Sequence, residues 1–236
     1  MPRKPFSKKY AKGSASIGPL ALTERPEFAK RIGLISALWT DIDFHTAVLL
    51  AALLKADTPA TVAVYQKLRR STQRTEAIEA AFNATMPKDC GDLLAAFLRY
   101  YRSVESERNA LIHNPFGTCD ALPESLLWVD IQDHASHVID VLVRNEWSNQ
   151  VTEKSPPRLI SDYIFYYEIA DLDDIINQER HLAQVIVTFW RFCALSLSGK
   201  NDQEREKLFR SLKNVPPIAE GLRLQQERAL RKNAQE

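Results

Sequence analysis

Glycine is scarce in this chain, with seven among 236 residues. No glycine-rich phosphate loop can be built from so few. The nearest candidate, Ser198-Gly199-Lys200, lacks the first glycine and the preceding strand of a P-loop. A serine nucleophile elbow is missing too. Cysteine is limited to Cys90, Cys119 and Cys193, far apart and in no Cys-x-x-Cys pair. That spacing speaks against a disulfide framework and a cysteine zinc site, and it suits a reducing compartment. Charge of one sign is also lacking: 31 Lys and Arg stand against 30 Asp and Glu, a formal net charge of +1. Global attraction to nucleic acid or to a membrane surface therefore has no basis in composition. The longest apolar run, Ala47 to Leu54, falls well short of the roughly 20 residues that span a bilayer. The basic opening stretch, Met1 to Lys12, contains no acid and is not followed by an apolar segment, so it does not read as a secretory signal. The expectation is a soluble cytoplasmic protein with no membrane partner, no cofactor and no metal.

Hydrophobic residues make up 45% of the chain and charged residues 26%, enough for one substantial core. Residues 1–22 mix Lys, Ser, Gly and Pro without periodicity and read as a flexible basic arm. A first helix is predicted from Thr23 and Pro26, with Phe28, Ile32, Ile35, Trp39 and Ile42 at helical spacing. Asp57-Thr58-Pro59 stops it and caps a second helix running to about Thr85. A third helix carries Leu93, Leu94, Phe97, Leu98, Tyr101, Val104, Leu111 and Ile112, and Pro115 ends it near His113. Leu126 to Ile131 and Tyr163 to Ile169 read as short strands, with Val138 to Val143 a weaker run of the same kind. Residues 170–197 return to helix, which Ser198-Gly199-Lys200-Asn201 terminates. The predicted class is mainly α: an antiparallel up-and-down helical bundle over residues 23–199. A small β-hairpin or sheet insertion (116–169) lies between the third and last long helices, and a charged helical tail follows over 200–236.

The densest polar set is Glu105-Ser106-Glu107-Arg108-Asn109-Ala110-Leu111-Ile112-His113, at the end of the third helix. Residues four apart stack on one helix face, so Glu105, Asn109 and His113 form a stripe, with Arg108 beside it. Histidine's ordinary pKa of about 6.5 suits a group that takes and returns a proton near neutrality. Arg108 can grip a phosphate with two parallel bonds and hold developing charge, and Asn109 can orient either partner. Such a set can cleave RNA without metal, using the 2′-hydroxyl as the internal nucleophile. The bland alternative makes Glu105 and Arg108 a surface pair, with Asn109 and His113 bonding the ending backbone.

Arg108-Asn109-x-x-x-His113 at the end of a third bundle helix resembles the signature of the HEPN superfamily (higher eukaryotes and prokaryotes nucleotide-binding). The long opening helix with Trp39, the basic second helix and the entry Tyr166-Tyr-Glu-Ile-Ala-Asp171 into the last long helix are similar to uncharacterised bacterial HEPN-like proteins. The resemblance implies a helical bundle and a homodimer that brings two motifs into one cleft. It also implies metal-independent endoribonuclease activity or RNA binding, in a toxin–antitoxin or phage-defence setting with an antitoxin partner. Arg108 and His113 would be catalytic, with Asn109 and Glu105 in support. Some antitoxin-paired members carry a modifiable tyrosine two positions after the histidine; Pro115 stands there in this chain. Two rival readings remain: a non-catalytic interaction or regulatory module of the same fold, and a metal-dependent hydrolase built on His134 and His137 with Asp130 and Asp133. Lys67, Arg69, Arg70 and Arg74 form a basic strip that is either a solvated face or a set of phosphate contacts. His45 reads as a satisfied core histidine and His181 as solvated.

Overall fold

Three helices carry proline in their first turn, at Pro26, Pro59 and Pro216. There the missing N–H costs nothing and the fixed φ suits the helix. The structure, a computed structural model, describes residues 3–7, 10, 14–146 and 164–233. Lys8, Lys9 and Lys12 of the basic opening stretch and Tyr163 lie outside the described residues. In chain order the elements are β1 (Lys4–Pro5), β2 (Ala15–Ile17), α1 (Ala21–Glu24), α2 (Pro26–Leu54), α3 (Thr58–Lys67), α4 (Ser71–Thr85) and α5 (Gly91–Ile112). They continue with β3 (Phe116–Cys119), β4 (Leu126–Val129), α6 (Ile131–Glu146), β5 (Ile164–Tyr167), α7 (Ile169–Ser198), α8 (Asp202–Lys213) and α9 (Pro216–Asn233). The described residues are mainly helical, with one small antiparallel sheet. The chain divides into two compact units, Met1–Ser36 with Glu107–Ile176 and Ala37–Ser106 with Asn177–Glu236.

The first unit holds the sheet, ordered β1-β5-β4-β3-β2. Every neighbouring pair is antiparallel, with Lys4 opposite Tyr166, Trp128 opposite Phe165 and Ala15 opposite Cys119. Pro5 can be tolerated because β1 is an edge, where the missing donor faces no neighbour. Central β4 is buried along its whole length. Alternation sends Leu127 and Val129 to one face, against Phe6, Cys119 and Ile164. Leu126 and Trp128 point to the other. Gly117 is required where β2 and β3 approach: a Cβ there would run into the Ser16 carbonyl and the Ile17 side chain. At the start of α7 the Asp171 carboxylate accepts from the Glu168 N–H at 2.7 Å, half of a capping box.

The second unit is built around a single large apolar cluster. It includes Trp39, Ile42, Leu49, Leu53, Tyr65, Ile78, Phe82, Phe97, Tyr101, Ile186 and Phe189. Ring contacts run through it: Phe97 stacks on Phe189 at 4.5 Å, Phe82 on Phe189 at 6.0 Å, and Phe192 on Phe209 at 5.5 Å. Asp57 caps α3 by accepting from the Ala60 N–H at 2.9 Å. Gly199 in the left-handed region (φ 63°) ends α7, and Asn201 caps α8. Gly221 lets α9 sit against α5, since a Cβ there would lie 2.9 Å from that of Ala96.

Four expectations need correction. Within the first 22 residues, read as a flexible arm, Lys4–Pro5 and Ala15–Ile17 form the two edge strands β1 and β2, and the short α1 (Ala21–Glu24) begins there. Pairing with distant partners such as Tyr166 and Cys119 orders them. Val138 to Val143 is helix within α6, not strand. Asp130, just before it, accepts from the Gln132 N–H at 2.9 Å and caps it, while Ile131, Ala135, Val138 and Ile139 keep helical spacing. The second helix is two, α3 and α4, because Leu68 turns to extended backbone and its carbonyl accepts from Arg74 Nε at 2.9 Å. The charged tail is not merely polar: Leu208, Leu212 and Ile218 are buried in the cluster of the second unit.

Among the described residues two helices, α2 and α7, are long and apolar enough to cross a membrane by length and composition. Core helices of soluble proteins pass the same test. Both bury part of that apolar surface in the chain's own interior, 44% of the apolar window of α2 and 33% of that of α7.

Candidate functional site

The apolar positions Leu93, Leu94, Phe97, Leu98, Tyr101, Val104 and Leu111 give α5 a buried stripe, and the polar residues 105–113 fill what the stripe leaves. The helix ends at Ile112, with His113 in a turn and Asn114 in a bend. Pro115 enforces this by disfavouring helical geometry in the residue before it. His113 is exposed; Arg108 and Asn109 are half-buried. Arg108 Nη1 donates to Asn109 Oδ1 at 2.9 Å, which fixes the guanidinium on the turn preceding His113. The His113 N–H donates to the Asn109 carbonyl at 3.1 Å, the last helical bond of this turn. Arg108, Asn109 and His113 belong to the first unit.

Glu105 belongs to the second unit. Its carboxylate accepts from Ser71 Oγ at 2.7 Å. There it supports the first turn of α4, an end where negative charge is favourable. Tyr101 nearby has its phenol pushed well up by burial.

The residues that sequence reasoning missed flank the motif. Asn114 Nδ2 donates to the Ala110 carbonyl at 2.7 Å, and Trp128 Nε1 donates to the same oxygen at 2.8 Å. Trp128 is 2% exposed. Arg3 lies over its ring at 3.8 Å from the centroid, and over Phe165 at 5.1 Å. An asparagine just before a proline at a helix end was the available signal for the first. The second needed the sheet register.

The basic residues divide by role. Lys67, Arg69 and Arg70 are exposed around the break between α3 and α4. Arg74 turns inward: Nη1 donates to Asp43 Oδ2 at 2.9 Å, and its guanidinium lies 4.9 Å from the Tyr65 ring centroid. At the opening of the chain, Lys4 pairs with Glu168 at 2.5 Å rather than standing free. Two histidine expectations change. His181 is not simply solvated, because its Nδ1 lies 2.9 Å from the Tyr100 hydroxyl, whose pKa burial pushes up to about 12. His45 is not fully satisfied: Nε2 sits 3.7 Å from Asp41 Oδ1 while buried Nδ1 meets no partner. It lines a shallow groove with Asp41, Ala183, Gln184, Val187 and Thr188. His134 and His137 fall on α6, and among the described residues no group of three His, Cys, Asp or Glu side chains could hold a metal ion. Burial pushes the Cys90 and Cys193 thiols up, so neither is a ready nucleophile.

Comparison with protein-family models, with characterised proteins and with solved structures finds no match to this chain.

Proposed function

We propose that this protein is a HEPN-like helical bundle that cleaves or binds RNA without metal, as a cytoplasmic homodimer. One observation carries the reading. An exposed imidazole, His113, stands immediately past the end of α5, one turn beyond a guanidinium that Asn109 holds in place. In this mechanism His113 takes the proton of a ribose 2′-hydroxyl, and the 2′-oxygen attacks the adjacent phosphorus. The bond to the 5′-oxygen breaks, and that oxygen receives a proton from a second imidazole, supplied by the partner copy. Arg108 holds the charge that builds on the phosphate oxygens. Glu105 is in support, its carboxylate held by the Ser71 hydroxyl at the start of α4. Lys67, Arg69 and Arg70 are phosphate contacts that make binding salt-sensitive. A toxin–antitoxin or phage-defence role, with an antitoxin that masks His113, is the setting this chemistry fits.

The test is incubation of the purified protein with total RNA in EDTA, beside His113→Ala and Arg108→Ala. The expected outcome is cleavage that falls by about 100-fold or more in His113→Ala, the scale of one proton-transfer group. Equal cleavage by all three proteins ends the proposal.

A second reading, a non-catalytic interaction module of the same fold, is favoured by the fact that Arg108 Nη1 already donates to Asn109 Oδ1. It predicts no cleavage by the wild-type chain and a partner whose binding is lost on changing His113.

A further inference from the structure

The Ala110 carbonyl is one of the four at the end of α5 that lack a helical partner. It accepts from two side chains, Asn114 Nδ2 at 2.7 Å and Trp128 Nε1 at 2.8 Å. The other end of the Asn114 amide is engaged as well: Oδ1 accepts from the Ile131 N–H at 2.8 Å. That N–H is an orphan donor at the start of α6. One amide thus closes the end of one helix and the beginning of another. Its orientation is fixed, because a flipped amide would face oxygen to carbonyl and NH2 to N–H. On the far side of His113 the Pro115 carbonyl accepts from the Val129 N–H at 3.1 Å. The short turn that carries the exposed imidazole is therefore tied to the sheet through Trp128 and Val129, and to α6 through Asn114.

The geometry points to Asn114 as a positioning residue: its amide, together with the Trp128 indole, holds the turn that presents His113. The consequence for catalysis rests on the RNA-cleaving reading above; the clamp itself rests on the hydrogen bonds.

The experiment uses the full chain and two readouts: hydrogen exchange of the His113 amide, and kcat and KM on RNA. Asn114→Ala is expected to speed His113 exchange by about tenfold, the scale of one lost hydrogen bond to a partly buried group. It should lower kcat and leave KM unchanged. Asn114→Asp keeps the acceptor for Ile131 but sets a carboxylate against the Ala110 carbonyl, so it should match Asn114→Ala. Trp128→Phe removes the indole donor together with part of the buried ring, and it should also speed His113 exchange. Asp130→Ala serves as the control: it removes the cap bond to Gln132 in the same junction and touches nothing at Ala110. It should leave His113 exchange at the wild-type rate. Unchanged exchange in both Asn114 variants, or an equal rise in Asp130→Ala, overturns the inference. Should wild-type protein leave RNA intact, the RNA reading falls and the exchange rates alone decide the clamp. Should Asn114→Ala fail to fold, Asn114→Asp and Trp128→Phe decide it.

Discussion

In the helical unit, rings meet rings. Phe82, Phe97 and Phe192 each meet Phe189, Phe192 goes on to Phe209, and Tyr101 joins Phe97 to Trp39. In the sheet unit the buried strand β4 is sealed differently, by a guanidinium over Trp128 and by an indole N–H spent on a helix-end carbonyl. The first kind of packing is non-directional and tolerates small shifts. The second is directional, and directional contacts fix the place of a side chain better than they add stability. The candidate chemistry at Arg108, Asn109 and His113 sits in the unit built the second way. The contrast suggests that one unit supplies stability and the other supplies geometry.

The sharpest attack on that contrast is Phe189→Ala. Phe189 is 0% exposed and contacts three other rings, so the substitution should cost about 3–5 kcal/mol. Urea unfolding would read it, and a loss below about 1 kcal/mol would deny the ring cluster its role. Next is Asp43→Ala, which leaves the half-buried Arg74 guanidinium without its carboxylate. We expect a loss of roughly 1–3 kcal/mol. Asp43→Asn should recover part of it, because the Arg74 bond survives.

In the sheet unit, Arg3→Ala removes the cation above Trp128 and should cost about 0.5–2 kcal/mol. It should also shift indole fluorescence. If it costs as much as Phe189→Ala, the two units are not held by different means. The smallest effect at neutral pH is an alkaline one, and it spans both units. Burial pushes Tyr100 in the helical unit and Tyr167 in the sheet unit up to about 12. Both phenols stay protonated in the fold above the ordinary value of about 10. The stability they contribute is complete below pH 10 and declines as pH rises from 10 through 12. Absorbance titration of tyrosinate, alongside unfolding at pH 9 and 11, would check it. Ionisation of all tyrosines near pH 10 without loss of structure would contradict the burial of both.

Much of the helical structure was legible because its signals are local. Pro26, Asp57-Thr58-Pro59, Pro115 and Gly199 mark helix ends by backbone chemistry, and the structure places the ends at or beside them. The core positions Ile35, Trp39, Ile42, Leu93, Phe97, Tyr101, Ile186 and Phe189 follow the helical period and are buried. The sheet unit was less legible because its order is long-range. Nothing local says that Lys4 lies opposite Tyr166. The β-branched run Val138 to Val143 favours strand by propensity, yet the Asp130 cap and helical spacing prevailed. Ile218 was overlooked in a polar tail, although it is fully buried. At the candidate site, Arg108, Asn109 and His113 were visible as types at a spacing. Ser71, which engages Glu105, and Trp128, which grips the helix end, were not, since both arrive from other elements.

Asparagine ordinarily ages into aspartate when the backbone nitrogen of the following residue closes a ring on its side chain. Here that nitrogen belongs to Pro115 and carries no hydrogen to give up. The residue that ends α5 thus also shields its neighbour from slow chemical decay. A single amide can bridge two helices for the lifetime of the molecule without turning into the one replacement that would repel the oxygen it holds.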